Sequence, residues 1–140
     1  MRVLLSIKPK YADKILAGSK KYEFRKVIFR HPDVHEIVIY SSSPVKKIVG
    51  TCTIRSVVEH DPLALWEHCK EAAGIGEEDF FSYFEGRKRG YAIEIGEINH
   101  FDKPVDPKVC DPEFVPPQSF QYVNDAFYSK IKNAAGLRGF

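Results

Sequence analysis

Residues 46–58 constrain the fold more than any other part of this chain. They run without a proline and are dominated by the β-branched side chains of Val, Ile and Thr. Such a run predicts one long strand. On a two-residue period, Ile48, Cys52, Ile54 and Val58 fall on one face, with Thr51, Thr53 and Arg55 on the other. A strand of this length belongs to a β-rich domain.

Shorter elements surround it. Residues 2–7 are an apolar run suited to a buried strand. Pro9 then opens a helix that carries Ala12 and Ile15 and that Gly18 closes. Residues 21–26 alternate, placing Tyr22 and Phe24 on one face and Lys21, Glu23 and Arg25 on the other. Glu23 and Arg25 therefore point the same way. Residues 36–41 predict a third strand, and Ser42, Ser43 and Pro44 a turn.

The period changes after residue 60. Asp61 and Pro62 have the chemistry of an N-cap and a first helical position, and Leu65, Trp66, Cys69, Ala72 and Ala73 recur at helical spacing up to Gly74. Glu77, Glu78 and Asp79 suit the first turn of a second helix, with Phe80, Phe81 and Phe84 as its apolar face. Residues 90–98 return to strand, with Tyr91, Ile93 and Ile95 on one side. Residues 102–117 hold five prolines and predict an extended surface segment. Val123, Phe127, Ile131 and Ala134 then fit a final amphipathic helix ending near Gly136.

Composition narrows the class. The chain has 140 residues, 44% of them hydrophobic, which is enough for one domain with a proper core. The uncharged run 37–45 is far shorter than the roughly 20 apolar residues of a membrane span. No signal peptide is expected, because Lys8 and Lys10 interrupt the N-terminal apolar run. Cys52, Cys69 and Cys110 are odd in number and widely spaced, which points to a reducing compartment, read here as the cytoplasm.

The formal charge of +2 conceals an asymmetry. Residues 1–55 carry 12 basic and 4 acidic side chains; residues 56–140 carry 9 and 15. Lys20, Lys21, Arg25, Lys26 and Arg30 are offset locally only by Glu23. This strip is a candidate anion-binding surface, or else a solvated edge strand kept soluble by its lysines. Arg87, Lys88 and Arg89 form a second basic group, either an extension of a phosphate track or an exposed loop. The cysteines and histidines form no zinc-binding pattern, so neither a metal nor a cofactor is expected.

The segment from Gly18 to Arg25 reads GxKxxExR, at a predicted junction of helix and strand. Together with residues 5–9 before it, the Tyr40-Ser41-Ser42-Ser43-Pro44 turn, the Val49-Gly50 strand, the helical insert, the Gly90-Tyr91-Ala92-Ile93 strand and Pro116-Pro117-Gln118-Ser119-Phe120, it resembles the ASCH family. Members of that family share the PUA-like fold. The resemblance covers about residues 1–123 of a single domain, with 124–140 as a C-terminal helix. It implies an α+β, β-rich architecture: a small twisted barrel of five to six strands with flanking helices, and a cleft beside the first helix.

ASCH proteins are associated with RNA, so the resemblance implies binding of single-stranded RNA or a modified nucleoside. Lys8, Lys20 and Arg25 would supply donors. Glu23 would accept from a base or orient Arg25, although a surface ion pair worth less than about 1 kcal/mol explains it equally. Tyr40, Tyr91 and Phe120 are candidate stacking surfaces, and Ser42, Ser43, Gln118 and Ser119 candidate hydrogen-bonding groups. Each has a structural alternative: Tyr91 as a core aromatic, Ser43 as turn chemistry, Gln118 and Ser119 as helix caps. Lys20 is read at a turn, where it would add little to the core.

Two further functions stay open. Some ASCH proteins are amidohydrolases acting on acylated cytidine with a lysine, a threonine and a glutamate. Lys20 matches the lysine, but Glu23 stands at the threonine position, and Ala73, near Glu71, at that of the glutamate. A different acid-base pair of Lys20 and Glu23, or nuclease activity, is compatible with the motif. A protein-interaction adaptor would instead expose Phe114, Phe120, Phe127 and Phe140. The oligomeric state is not legible.

Overall fold

The computed structural model describes residues 1–137. In chain order these form β1 (Arg2–Ile7), α1 (Pro9–Leu16), β2 (Tyr22–Arg25), β3 (Glu36–Ser41), β4 (Lys47–His60), α2 (Pro62–Cys69), a 3-10 turn (Lys70–Ala72), α3 (Glu77–Tyr83), β5 (Gly90–Val105), α4 (Pro107–Cys110), β6 (Phe120–Val123) and α5 (Asp125–Ala134). The strands make one mixed sheet in the order β2-β5-β4-β3-β1-β6. β1 lies parallel to β3, and every other neighbouring pair is antiparallel.

The fold is α+β, as the sequence implies, but the expected barrel does not close. The outer strands, β2 and β6, are only four residues each, and no ladder joins them. Side chains and the segment after β2 span the gap instead. Phe29 sets its ring edge-on to Phe120 at 6.1 Å, and the Tyr122 hydroxyl accepts from the backbone N–H groups of Arg30 and His31, both at 3.2 Å.

β4 and β5 are the long pair around which the sheet curls. Register shifts interrupt their ladder between Ile48 and Gly50, Cys52 and Ile54, and Ile54 and Ser56. Each irregularity resets which way the following side chains face. This corrects the single apolar face read for residues 46–58: Ile48, Cys52 and Val58 serve three different clusters. Gly50 is required at the first shift, because a Cβ there would lie 2.5 Å from the Asn99 carbonyl oxygen.

Two clusters cover the faces of the central strands. Val3, Leu5 and Ile7 of β1 pack with Ile37 and Ile39 beneath Ala12 and Ile15 of α1. Leu4 and Val38 face the other way, onto Phe101, Phe114 and Ile131. β1 is buried on both sides, which explains its unbroken apolar run. The second cluster also corrects the reading of residues 102–117. β5 continues to Val105, and Pro107, Cys110 and Phe114 are buried, because apolar residues between the prolines fold back onto the sheet. Phe120 and Phe127 also pack partly against these clusters. The adaptor reading thereby loses its exposed aromatics, while Phe140 lies outside the described residues. The cap of α5 is Asn124, whose side chain accepts from Phe127 N–H, rather than Gln118 or Ser119. No helix among the described residues is long and apolar enough to cross a membrane.

A third cluster docks the helical insert. Asp61 caps α2 by accepting from Ala64 N–H at 2.9 Å. Leu65, Trp66, Phe80 and Phe84 then close over Phe24 of β2 and Ala92 of β5. Leu65 is fully buried. Leu65→Ala should lower stability by about 2–5 kcal/mol, measured by chemical denaturation; an unchanged midpoint would contradict this packing.

Candidate functional site

Five parts of the chain meet around a cleft of about 580 Å³: the end of β1, the start of α1, the Lys20-to-Arg25 segment, the insert with Ile75 and α3, and Gln118 before β6. Its walls carry the cations Lys8, Lys10, Lys20 and Arg25 against two carboxylates, Glu23 and Asp79. Tyr11, Phe24 and Tyr83 add aromatic surface.

Lys20 is the unusual group. Gly18, with φ +84°, turns the chain out of α1, and Lys20 follows with only 2% of its surface exposed. That corrects its reading as a turn lysine with little part in the core. Its Nζ donates to the Ala73 carbonyl at 2.7 Å and lies 4.8 Å from the Phe24 ring and 5.2 Å from the Tyr11 ring. The insert holds it there. Lys21 N–H donates to the Ala72 carbonyl at 2.9 Å, and a Cβ at Gly74 would sit 2.4 Å from that of Lys20. Gly74 has φ +67°, so both backbone and space call for glycine. Burial lowers the Lys20 pKa from the usual 10.5 to about 8; the nearby charge of Glu23 opposes that shift, and Lys14 adds to it.

The position at which the family resemblance expects a carboxylate, Ala73, offers Lys20 its main-chain oxygen instead. An uncharged acceptor stabilises the ammonium less than a carboxylate does. This favours the depressed pKa.

Glu23 and Arg25 point the same way, as their spacing requires, and form an ion pair at 3.1 Å. The pair is not on a solvated face: the side chains are 9% and 11% exposed. Arg25 also donates to the carbonyls of Ser119 at 2.7 Å and Ser6 at 3.3 Å. Its guanidinium thus ties β2 to β1 and to the residue before β6. Much of its donor capacity is committed to the protein, which makes it a buttress of the cleft more than a free phosphate clamp.

The other residues singled out in the sequence divide between sites. Lys8 and Gln118 line the Lys20 cleft. Tyr40, Ser42 and Ser43 line a neighbouring cavity, which Gln118 also borders. Ser119 contributes its carbonyl to Arg25, Phe120 packs against Phe29, and Tyr91 lies opposite Arg25 on β5, outside both cavities. Sequence reasoning missed Lys10, Tyr11, Asp79, Ser82 and Tyr83. The helical period offered a signal for Tyr11, which flanks the buried Ala12–Ile15 stripe. Nothing local predicted that α3 would face α1.

The three thiols are buried and free. Burial pushes Cys69 up to about 11 and Cys52 up to about 12, which keeps both protonated at neutral pH. Among the described residues, no three His, Cys, Asp or Glu side chains are grouped to hold a metal ion.

The lowered Lys20 pKa has a consequence for stability. Between about pH 8 and 10.5 the unfolded chain binds a proton that the folded one has released, so this lysine makes stability rise with pH, by about 3 kcal/mol in full. Below pH 8 the whole penalty is present. Lys20→Met should abolish that part of the rise in urea denaturation at pH 7 and pH 10.5. A parallel pH dependence in the two proteins would contradict the assignment.

Comparison with known proteins places this geometry in a family. An ASCH domain-containing ribonuclease of Zymomonas mobilis is 29% identical over 134 residues, covering 91% of this chain and 88% of the relative. The crystal structure of the ASCH protein from Zymomonas mobilis superposes with a TM-score of 0.88 at 27% identity, covering 94% of each chain. The N-terminal domain of McrB from Staphylothermus marinus shares the fold alone, with a TM-score of 0.62 at 11% identity over 94% of this chain and 93% of that one. Residues 2–123 match the family described as a domain of unknown function, DUF365. The chain therefore belongs to the DUF365 family, and its fold is that of the PUA-like ASCH domains.

Proposed function

We propose that the Lys20 cleft binds single-stranded RNA, seating one nucleotide, and that the protein works in RNA metabolism. The observation that carries this reading is the convergence of Lys8, Lys10 and Lys20 with Tyr11 and Tyr83 in one cleft. Cations beside aromatic rings suit a phosphate next to an unstacked base. The Zymomonas mobilis relative, named a ribonuclease, supports RNA as the polymer. In this reading Glu23 and Arg25 hold the wall, and Glu23 offers its remaining acceptor capacity to a base edge.

A second reading, cleavage of the bound strand, rests on the same lysine. With its pKa lowered to about 8, a fraction of Lys20 carries a free lone pair near neutrality, the state a general base needs. It would take the proton of a ribose 2′-hydroxyl while that oxygen attacks the adjacent phosphorus to form a 2′,3′-cyclic phosphate, and the P–O5′ bond breaks with the departing 5′-oxygen taking a proton from solvent water. The amidohydrolase reading loses both partners of its lysine. Glu23 is paired with Arg25, and Ala73 presents a carbonyl.

Fluorescence anisotropy with labelled single-stranded RNA tests the binding claim. If three lysines meet phosphates, the affinity should fall with salt on a logarithmic slope of about −2, and Lys20→Met should reduce that slope by about 0.7 and weaken binding. No saturable binding would overturn the proposal. Following the same RNA on a denaturing gel between pH 6 and 9 tests cleavage: the rate should rise with pH through about 8 and vanish in Lys20→Met. An intact strand would leave a binding module.

A further inference from the structure

The loop between α3 and β5 carries Arg87, Lys88 and Arg89, a basic group that the Lys20 cleft does not use. Two hydrogen bonds hold this loop in place. Arg87 N–H donates at 2.9 Å to the carbonyl of Phe84, which is buried in the insert, and Arg87 Nη2 donates at 3.0 Å to the Lys26 carbonyl, just past the end of β2. Lys26 completes the link to the cleft. Its Nζ lies 4.7 Å from the centre of the Tyr83 ring, and Tyr83 is part of the cleft wall. The surface therefore continues outward from the cleft through Tyr83, Lys26 and Arg87, with Lys88 next in the chain. The charges differ in their partners. Arg89 pairs with Glu59 at 3.6 Å. Lys26, Arg87 and Lys88 are exposed, and among the described residues none of them forms an ion pair.

We propose that Lys26, Arg87 and Lys88 form a phosphate track, along which a single strand of RNA runs once it leaves the Lys20 cleft past Tyr83. The inference rests on the RNA reading of the cleft and names the side, that of α3, on which a longer strand gains contacts. Guarding a sheet edge does not account for these cations, because they lie beyond the last ladder pair of β2, Arg25 with Tyr91. Three unpaired cations gathered at a hydrogen-bonded junction repel one another, and a polyanion laid across them removes that cost. Arg87 commits one of its donors to Lys26 and keeps others for a phosphate oxygen. Contacts of this kind hold the backbone of a strand without reading its bases. The track therefore shows itself in strand length and salt dependence, and sequence preference is left to the cleft.

The test compares a short strand with a long one. Randomised single-stranded RNA pools of roughly 3 and roughly 12 nucleotides are titrated at pH 6, where Lys20 is protonated, over a series of salt concentrations, the long pool by anisotropy and the short one by competition against it. A long strand offers more binding registers, which raises its affinity but leaves the salt slope unchanged, so the slope is the readout. Three further phosphate contacts should make the long pool's logarithmic slope steeper than the short pool's by about 2. Lys26→Ala/Lys88→Ala should remove about 1.4 of that difference and leave the short pool's binding unaltered. Both residues are exposed, so the substitutions leave the core intact. Lys26→Arg/Lys88→Arg should keep the slope, as should Lys103→Ala/Lys130→Ala, which removes the same charge from exposed positions elsewhere. Equal slopes for the two pools, with binding of the short pool that Lys20→Met weakens, overturn the track alone. So does a steeper slope that survives Lys26→Ala/Lys88→Ala, or one that the Lys103/Lys130 control lowers equally. No saturable binding of either pool overturns the track and the RNA reading together.

Discussion

The Arg25 guanidinium holds together the two ends of a sheet that its own ladders leave open. β2 and β6 are too short to pair around the gap, so contact between the two edges falls to one side chain reaching Ser6 and Ser119, with Phe29, Phe120 and Tyr122 beside it. A buried arginine without a counter-charge is costly, and Glu23, two residues earlier on the same face, provides one. Removing either partner of such a pair typically costs about 3–5 kcal/mol. The cleft and the neighbouring cavity both abut this junction, which places their shared wall under the control of one ion pair.

Lys20 shows the opposite economy. The insert buries its ammonium against Phe24, Tyr11 and a main-chain carbonyl without a directly bonded carboxylate. The fold is destabilised at neutral pH by that choice. A chain selected for stability alone would put a methionine there, or an acid beside the lysine, so the arrangement has the character of a site that trades stability for chemistry. The docking of α2 and α3 through Leu65, Phe80 and Phe84 maintains it. The insert is thus a structural part of the cleft as well as a cover for β2.

Much of this was legible in the sequence where a local rule was decisive. Pro9 and Gly18 mark the ends of α1, Asp61 caps α2, and the alternation of residues 21–26 puts Glu23 and Arg25 on one face. What escaped depends on long-range geometry. The bulges of β4 and β5 split a single alternating face among three clusters, and no residue in 46–58 announces them except Gly50. The proline-rich segment looks exposed by composition, yet Cys110 and Phe114 are drawn into the core by Ile131 and Tyr40. Lys20 reads as a turn residue because its burial comes from Ala73 and Gly74, more than fifty residues away. Likewise, the motif marked Arg25 as a ligand group, while the structure reveals its part in joining the sheet's edges.

The central claim is that a buried, easily deprotonated Lys20 faces a phosphate-binding cleft. Its most direct test is an NMR titration of the Lys20 ε-methylene group, alone and with a saturating 5′-ribonucleotide. The account predicts a midpoint of about 8 in the free protein, moving upward when the phosphate is bound. A midpoint near the ordinary 10.5, or one that the nucleotide leaves unmoved, would contradict it.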